Sequence, residues 1–240
     1  MSSSGVIYLV STPIGNLDDI TYRAVNVLSE CNVIYAENTH TAKRLCSHLN
    51  IRTPINSFHS HSTEKKLISI IEQVKSGKNI SVISEAGTPG ISDPAYKLVK
   101  EAIMANITII PVPGATAVIP ALIASGLPTD KFLYLGFLPQ KKGRNTLFQE
   151  LESFPYTIVI YESVHRIHKT LKDVANRFGN RYICIAREMT KLHETYYRGF
   201  LFDILDNFDE ITLKGEFVIV ISGKQFKYFG AENNHEPLLS

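Results

Sequence analysis

Residues 79–104 place the strongest constraint on the fold. Residues 79–83 form a β-branched apolar run typical of a buried strand, and residues 95–103 carry apolar side chains at helical spacing. Between them lies a polar loop with two glycines, in which Asp93 and Pro94 suit the N-cap and the first position of the helix. Strand-to-helix connections usually take about two to six residues, so a loop of about ten favours ligand binding over a plain turn.

The same alternation of strand and helix runs through the first half of the chain, in roughly five units. Further strands are predicted at residues 6–10, 32–36 and 107–110. Parallel strands joined by helices place their carboxyl ends at one edge of the sheet. We therefore expect three loops rich in Gly, Pro, Ser and Thr to share that edge; they span residues 11–17, 84–93 and 111–117.

The pattern restarts after a linker predicted at residues 126–130. It predicts strands and helices in the second half, with residues 195–199 and 216–222 as antiparallel partners. The prediction is thus an α/β protein with a mostly parallel amino-terminal sheet and a mixed carboxyl-terminal sheet. Its parts are an N-terminal domain, a C-terminal domain and a flexible tail, at residues 1–126, 131–224 and 225–240.

Composition excludes few functions. The net charge of +2 neither demands nor excludes a nucleic-acid substrate. Three widely spaced cysteines without a CxxC motif favour a reducing cytoplasm. Residues 107–128 lack charge over a length that could span a bilayer, but prolines interrupt them. With no signal-peptide pattern at the start, we expect a soluble cytoplasmic protein without a membrane segment.

Several short motifs occur in one order along residues 6–223. They are residues 11–17 (STPIGNL), 86–89 (AGTP), 113–115 (PGA), 126–128 (GLP), 136–139 (GFLP), 161–163 (YES), 165–166 (HR), 186–191 (AREMTK) and 214–216 (KGE). Together they resemble the tetrapyrrole methylase family, and within it the branch that methylates small-subunit ribosomal RNA. Each motif is weak by itself, but the set in register is specific.

The resemblance implies an S-adenosylmethionine-dependent homodimer with two α/β domains and the cofactor in a cleft between them. It also implies that the enzyme methylates the 2′-hydroxyl of a cytidine in the decoding region of small-subunit (16S) ribosomal RNA. Three places depart from the family pattern. Asn38 and His40 stand in a stretch that usually reads acid-aspartate-threonine-arginine, Glu85 replaces an aspartate, and Val164 replaces a proline.

S-adenosylmethionine carries no phosphate, and this chain has neither a GxGxxG nor a Walker motif. Backbone groups, small hydroxyls and apolar walls suffice to bind such a ligand. By the resemblance, cofactor contact is carried over to Ile14, Gly15, Ser84, Gly87, Thr88, Pro89, Ile91, Thr116, Ala117, Tyr161, Ala186 and Glu216. For Thr116 and Ala117, a buried helix start is an equal alternative.

A ribose hydroxyl is a poor nucleophile until its proton leaves, so a general base is expected. Glu85 is the first candidate, followed by Glu37 and Glu188, and Lys191 could stabilise the developing alkoxide or hold a phosphate. Each acid could instead cap a helix or pair with Arg187. The candidates for RNA contact are His40, Lys141, Lys142, Arg144, Arg166, Lys169 and Lys172. A solvated face is the more common outcome for such basic runs, and His40 could simply cap its helix.

No metal site is expected, because the pairs His59/His61 and His165/His168 lack a Cys or carboxylate set at ligand spacing. Three rival functions stay open. One is methylation of a tetrapyrrole or corrin ring, and another is ribosome binding without catalysis. The third, a dinucleotide-dependent dehydrogenase, ranks last because the glycine fingerprint is missing.

Overall fold

The computed structural model describes residues 4–228, and the chain divides into two compact units between Ala117 and Val118. Each unit contains one five-stranded sheet. The predicted α/β class, with a parallel sheet followed by a mixed sheet, is confirmed. The domain limits at residues 126 and 131 stay a prediction. Residues 229–240 of the predicted tail lie outside the described part of the chain.

The first unit is built on a parallel sheet in the order β3-β2-β4-β1-β5. Its strands are β1 (Val6–Val10), β2 (Val33–Ala36), β3 (Ile55–Ser57), β4 (Ile80–Ile83) and β5 (Thr108–Val112). β2 and β4 are buried along their whole length, as inner strands of a parallel sheet are. β1 lies between β4 and β5, so the loops after these three strands are neighbours at the carboxyl edge.

Helices cover both faces of this sheet. They are α1 (Tyr22–Glu30), α2 (Thr39–His48), α3 (Glu64–Lys75) and α4 (Ala95–Met104). Neighbouring residues of β2 supply both cores: Ile34 packs with Leu28 on one face, and Tyr35 packs with Ile70 on the other. This is the two-residue alternation of a strand that is buried on both sides.

Side-chain caps set the starts of the first three helices. Thr21, Asn38 and Thr63 each accept a backbone N–H at the beginning of α1, α2 and α3. The predicted cap of α4 is displaced by one residue, because Pro94 occupies the capping position. Asp93 nevertheless accepts the Ala95 N–H at 2.8 Å and the Gly90 N–H at 2.7 Å, so it stabilises both the helix start and the loop before it.

The second unit has a mixed sheet in the order β6-β7-β10-β8-β9. Its strands are β6 (Phe132–Phe137), β7 (Thr157–Ser163), β8 (Tyr182–Arg187), β9 (Thr195–Phe200) and β10 (Glu216–Ile221). β6 and β7 pair in parallel, and the other pairs are antiparallel. The predicted direct pairing of residues 195–199 with 216–222 is wrong: β8, buried at every residue, lies between them and pairs with both.

The second unit packs its core against α6 (Arg144–Leu151), α7 (Ile167–Phe178) and α8 (Leu201–Asp206), and it begins with α5 (Val118–Ile123). All three cysteines are buried and unpaired, and burial raises the pKa of the Cys184 thiol to about 11. The start of the predicted tail is packed, since the Phe226 and Tyr228 rings lie against Tyr182. Within residues 4–228, no helix has the length and apolar character needed to cross a bilayer.

Candidate functional site

The loops after β1 and β4 are joined by a two-way backbone bridge. The Thr12 N–H donates to the Gly87 carbonyl and the Gly87 N–H donates to the Thr12 carbonyl, each at 2.9 Å. Below the bridge, the Ser84 hydroxyl donates to the Ala86 carbonyl at 3.1 Å and contacts the Gly87 carbonyl at 3.3 Å. The two loops therefore fix each other's main chain.

A chain of hydroxyls connects the third loop to the first two. Thr88 Oγ1 donates to the Ala115 carbonyl at 3.0 Å, and Ser11 Oγ lies 3.0 Å from Thr88 Oγ1. The Thr88 hydroxyl has one hydrogen, which the Ala115 carbonyl takes, so Ser11 is the donor in the second contact. The three loops that the sequence places at one edge are thus linked to one another by hydrogen bonds.

Glycines allow these main chains to approach closely. Gly87 has φ +79°, and a Cβ atom there would lie 3.3 Å from Ile14 Cγ2 and 3.7 Å from the Ala115 carbonyl oxygen. A Cβ atom at Gly114 would lie only 2.9 Å from Ser11 Cβ. Any larger side chain at either position would have to push the neighbouring loop away.

The predicted cofactor residues of the first unit separate into two groups. The first group lies around Gly87. Ile14 and Thr116 border the position that a side chain at Gly87 would occupy, and Thr88 bonds to the neighbouring loop at Ala115. Ser84, the first residue after β4, supports them through its contact with the Gly87 carbonyl. Ile91 is exposed, but its N–H donates to the Thr88 carbonyl at 3.2 Å, so it joins the same loop. Of the other predicted residues, Gly15 is exposed, Pro89 is buried and Ala117 is half-buried.

Thr12 is a site residue that the sequence did not single out. Its Oγ1 is buried and has no hydrogen-bond partner among the described residues, a property shared only with Ser81 Oγ in that part of the chain. Buried hydroxyls are nearly always hydrogen-bonded, so this unpaired one beside the Gly87 bridge is a candidate partner for a polar ligand atom or a water molecule. The available signal was a hydroxyl directly after a strand in a glycine-bearing loop.

Two candidate bases, Glu37 and Glu85, lie where β2 and β4 end. Asn38 Nδ2 donates to Glu85 Oε1 at 2.9 Å, and the Glu85 side chain is exposed. Burial raises the pKa of Glu37, and the charges of Asp93 and Glu85 raise it further. The Glu85 N–H and the charge of His59 oppose this shift. The structure therefore brings Glu37 and Glu85 to one edge, with one of them partly protected from solvent.

In the second unit, the predicted cofactor residues share one face of the sheet. Tyr161 and Ala186 both pair with Val218, one on each side of β10. Glu216 lies two residues before Val218 and so points to the same face, opposite the core residue Phe217. The Tyr161 ring packs edge-on against Tyr134 and Phe137. Ala186 is fully buried and Glu216 is exposed.

Glu188, Lys191 and Glu216 form one charged cluster. Lys191 Nζ donates to Glu188 Oε1 at 2.8 Å and to Glu216 Oε2 at 3.0 Å, and Glu188 Oε1 also accepts the Glu216 N–H at 3.0 Å. Burial would raise the pKa of Glu188, but these donors and the charge of Arg187 hold it below its usual value. Burial would lower the pKa of Lys191, but its two carboxylate partners raise it.

The backbone at this cluster is strained. Glu188 has φ +50° and Thr190 has φ +65°, in the left-handed region that residues with a Cβ adopt at a cost. Gly215 has φ +88°, and a methyl group there would overlap the Glu188 carboxyl. The cluster therefore depends on a glycine in the facing loop.

Two of the predicted RNA-contacting arginines are structural instead. Arg144 is buried and donates to Asp173, the Pro139 carbonyl and Thr170. Arg166 pairs with the buried Glu162 and donates to the Leu138 carbonyl. The burial of Arg144 depends on Asp173 and Thr170, which lie far away along the chain. For Arg166, Leu138 is distant, but Glu162 lies only four residues before it. The other basic candidates are exposed: His40, Lys141, Lys142, Lys169 and Lys172.

The paired histidines show no ligand set. The His59 and His61 rings are 6.1 Å apart, and His168 stacks on Phe208 with a centroid distance of 4.2 Å. Within residues 4–228, no group of three or more His, Cys, Asp or Glu side chains could hold a metal ion.

Known proteins resemble this chain over most of its length. The family model of tetrapyrrole (corrin/porphyrin) methylases matches residues 6–205. The chain is 45% identical over 220 residues to "Ribosomal RNA small subunit methyltransferase I" of Halalkalibacterium halodurans, covering 91% of this chain and 76% of that protein. It is 44% identical to the protein of the same name from Synechocystis sp., covering 98% and 86%.

Among solved structures, uroporphyrin-III C-methyltransferase from Thermus thermophilus in complex with S-adenosyl homocysteine superposes with a TM-score of 0.62. The superposition covers 92% of this chain and 98% of that one at 18% identity. At this identity the likeness concerns the fold alone.

Proposed function

The chain belongs to the tetrapyrrole (corrin/porphyrin) methylase family, and from this premise we propose that it methylates small-subunit (16S) ribosomal RNA. The reaction transfers a methyl group from S-adenosylmethionine to the ribose 2′-hydroxyl of a cytidine. The observation that supports this substrate is sequence identity. Over nearly the whole chain, 44–45% of residues are identical to those of proteins named for small-subunit ribosomal RNA methylation. The family resemblance supplies the cytidine and its hydroxyl.

The loops of the first unit suit S-adenosylmethionine by their chemistry. The unpaired Thr12 hydroxyl offers a partner for a polar ligand atom, and the missing side chain at Gly87 leaves room beside Ile14. Thr88 and Thr116 border the same space. When bound, S-adenosylmethionine supplies a methyl group on a positively charged sulfur. The loops hold the ligand with neutral groups, which its uncharged adenosine part requires.

Glu85 is the proposed general base. It accepts the proton of the ribose 2′-hydroxyl while the oxygen forms a bond to the methyl carbon and the carbon–sulfur bond breaks. Its carboxylate is exposed and therefore open to a large substrate. Glu37 is the first alternative, because its raised pKa makes it a stronger base once it is ionised. Glu188 is the second, although Lys191 and the Glu216 N–H already occupy one of its oxygens.

RNA contact is proposed for the exposed lysines of the second unit, Lys141, Lys142, Lys169 and Lys172. Two acidic residues near them are already paired, since Asp173 binds Arg144, and Glu162 binds Thr170 and Arg166. The exposed lysines are therefore left to attract phosphates. Lys191 holds a phosphate or the developing alkoxide only if it gives up part of its contact with Glu188 and Glu216.

We further propose a cytoplasmic homodimer that acts on the small ribosomal subunit or its 16S RNA. The family resemblance supports the dimer. Analytical ultracentrifugation of the whole chain tests it: a species of twice the mass of 26.9 kDa is expected at micromolar concentration, and a monomer would contradict the proposal.

The decisive experiment incubates the chain with methyl-labelled S-adenosylmethionine and small ribosomal subunits that lack the modification. Nucleoside analysis of the digested RNA is expected to give label as 2′-O-methylcytidine. Label on a base would contradict the proposed atom. Cofactor binding without any label would favour a binding protein without catalysis, and transfer to a corrin ring instead would favour the rival substrate class.

A further inference from the structure

Asn38 uses both halves of its side chain. It precedes α2, and its Oδ1 accepts the His40 N–H at 3.0 Å and the Thr41 N–H at 3.3 Å as the helix cap. This fixes the orientation of the amide, because the N–H groups of the helix require the oxygen. The Nδ2 group is then directed to Glu85 Oε1, 2.9 Å away. Asn38 thereby joins the start of α2 to the loop after β4.

The surroundings of Glu85 are acidic. Glu37 and Asp93 lie close enough for the charges of Asp93 and Glu85 to act on Glu37, and His59 contributes the opposing charge. Asp93 is occupied with the Gly90 and Ala95 N–H groups. An aspartate at position 38 could cap α2 equally well, but it could not donate, and it would face Glu85 with a further negative charge. The amide is the residue type that caps the helix and holds a carboxylate at once.

We propose that Asn38 is a positioning residue that holds the Glu85 carboxylate at the carboxyl ends of β2 and β4. This inference rests on the proposed role of Glu85 as general base. It gives a common reason for two departures from the family pattern, Asn38 and Glu85. The glutamate is one methylene longer than the usual aspartate and reaches the amide, while the asparagine provides the donor that the usual aspartate lacks. Asn38 acts through Glu85 and does not touch the reacting atoms.

The test uses N38D, N38S and the double variant N38D/E85D. N38D keeps the helix cap, removes the donor and adds a charge, and N38S keeps a capping hydroxyl without a donor that reaches Glu85. The matched control is N32D, which makes the same exchange at the amino ends of the strands, where Asn32 Oδ1 accepts the Asn79 N–H at 2.7 Å. Thermal unfolding establishes that each variant is folded.

Two readouts are measured. The first is the NMR titration of the Glu85 carboxyl in chain labelled with ¹³C-glutamate, with E85Q identifying the signal. The second is kcat for methyl transfer to unmodified small subunits across pH 4–9. We expect N38D to move the Glu85 titration midpoint and the acid limb of kcat to higher pH, with kcat lower by about tenfold at pH 7. N38S shows a smaller loss, N38D/E85D recovers part of the rate, and N32D matches the unsubstituted chain.

Each result decides between the two proposals. An unchanged Glu85 titration in both N38D and N38S would overturn the positioning role, whatever the rate. A shifted titration with an unshifted kcat profile would support positioning and refute Glu85 as the base. Absence of methyl transfer by the unsubstituted chain would refute the proposed function, while the NMR titration would still test the contact.

Discussion

The two units hold their candidate site residues in opposite ways. At the edge of the first sheet, Thr12, Gly87 and Thr88 are fixed by backbone and hydroxyl hydrogen bonds without any charge. In the second unit, Glu188 and Lys191 hold each other by charge on a strained backbone. The first arrangement leaves uncharged polar groups for a ligand, and the Asp93 carboxylate holds the Gly90 N–H farther along the same loop. The second has already satisfied its charges, which limits what they can do for a substrate.

The difference between the two units has its largest expected effect at Glu85 and Glu188, one candidate base from each unit. E85Q removes an exposed carboxylate that is free to take a proton, so turnover is expected to fall about 100-fold or more. The cofactor dissociation constant should stay within about threefold, because glutamine keeps the size of the side chain. E188Q is expected to keep most of the turnover. Single-turnover kinetics and calorimetric titration of the cofactor measure the two quantities.

The control for both variants is E152Q, an exposed glutamate of the second unit. A large loss of turnover in E188Q together with a small loss in E85Q would reverse this assignment. The general base would then lie in the second unit. If E37Q alone shows the large loss, the base stays at the same edge but moves from β4 to β2.

The next largest effect is expected at Gly87. G87A forces a residue with a Cβ into φ +79° and places a methyl group 3.3 Å from Ile14 Cγ2. We expect the cofactor dissociation constant to rise about tenfold, which corresponds to ~1.4 kcal/mol, because the methyl group occupies the space left for the ligand. Calorimetric titration with S-adenosyl homocysteine measures it.

The matched control for G87A is Gly90 in the same loop. Gly90 has φ +95°, but a Cβ atom there meets nothing within 4 Å, so G90A carries the backbone strain without the contact. Equal losses of affinity in G87A and G90A would mean that loop strain, and not the space beside Ile14, sets cofactor binding.

The sequence predicted the loop at residues 84–93 and the two loops beside it because local patterns determine where they begin and end. β4 has an apolar β-branched run, and Asp93 and Pro94 mark a helix start within a few residues of the glycines. Short β3 escaped prediction because three residues show no period. The cap of α4 moved by one residue, which is the usual uncertainty of helix ends.

Contacts that are distant in sequence were not predictable in the same way. Thr12 binds the Gly87 backbone across most of the first unit, and Asn38 meets Glu85 at a separation of 47 residues. Arg144 is a basic residue at the start of a helix, a position that is usually exposed. It is buried because Asp173 and Thr170 of α7 accept its hydrogen bonds. In each case the partner is chosen by the sheet order, which local periodicity does not contain.

The charged cluster of the second unit is tested at Gly215. G215A combines φ +88° with overlap between the new methyl group and the Glu188 carboxyl, so the cluster has to open. We expect the free energy of unfolding to fall by about 2–3 kcal/mol, from backbone strain and the lost hydrogen bonds. Urea denaturation measures it, and hydrogen exchange of β8 locates the change in the second unit.

G126A is the matched control for G215A. Gly126 has φ +77° and nothing within 4 Å of a Cβ atom, so its variant should lose only the roughly 1 kcal/mol of strain. A G215A chain no less stable than G126A would contradict a cluster that depends on the glycine.

The smallest predicted effect is a pH dependence of opposite sign in the two units. The folded chain lowers the pKa of Glu188, so the stability it adds is present above its ordinary value of 4.5 and is lost as pH falls through the lower folded value. Glu37 has a raised pKa, so its contribution is fully present below 4.5 and is lost as pH rises through the higher folded value. Acidification should therefore relieve the first unit before it weakens the second.

Urea denaturation of E188Q and E37Q between pH 3 and 7 separates these contributions. E188Q should be less stable than the unsubstituted chain at pH 7, by at most about 1 kcal/mol for such a partly exposed pair, and the difference should vanish towards pH 3. E37Q should be as stable as the unsubstituted chain or slightly more stable at pH 7, with the difference vanishing below pH 4.5. Two difference curves of the same sign would mean that the edge of the first sheet is also held by charge, because Glu37 would then be stabilised in its ionised form.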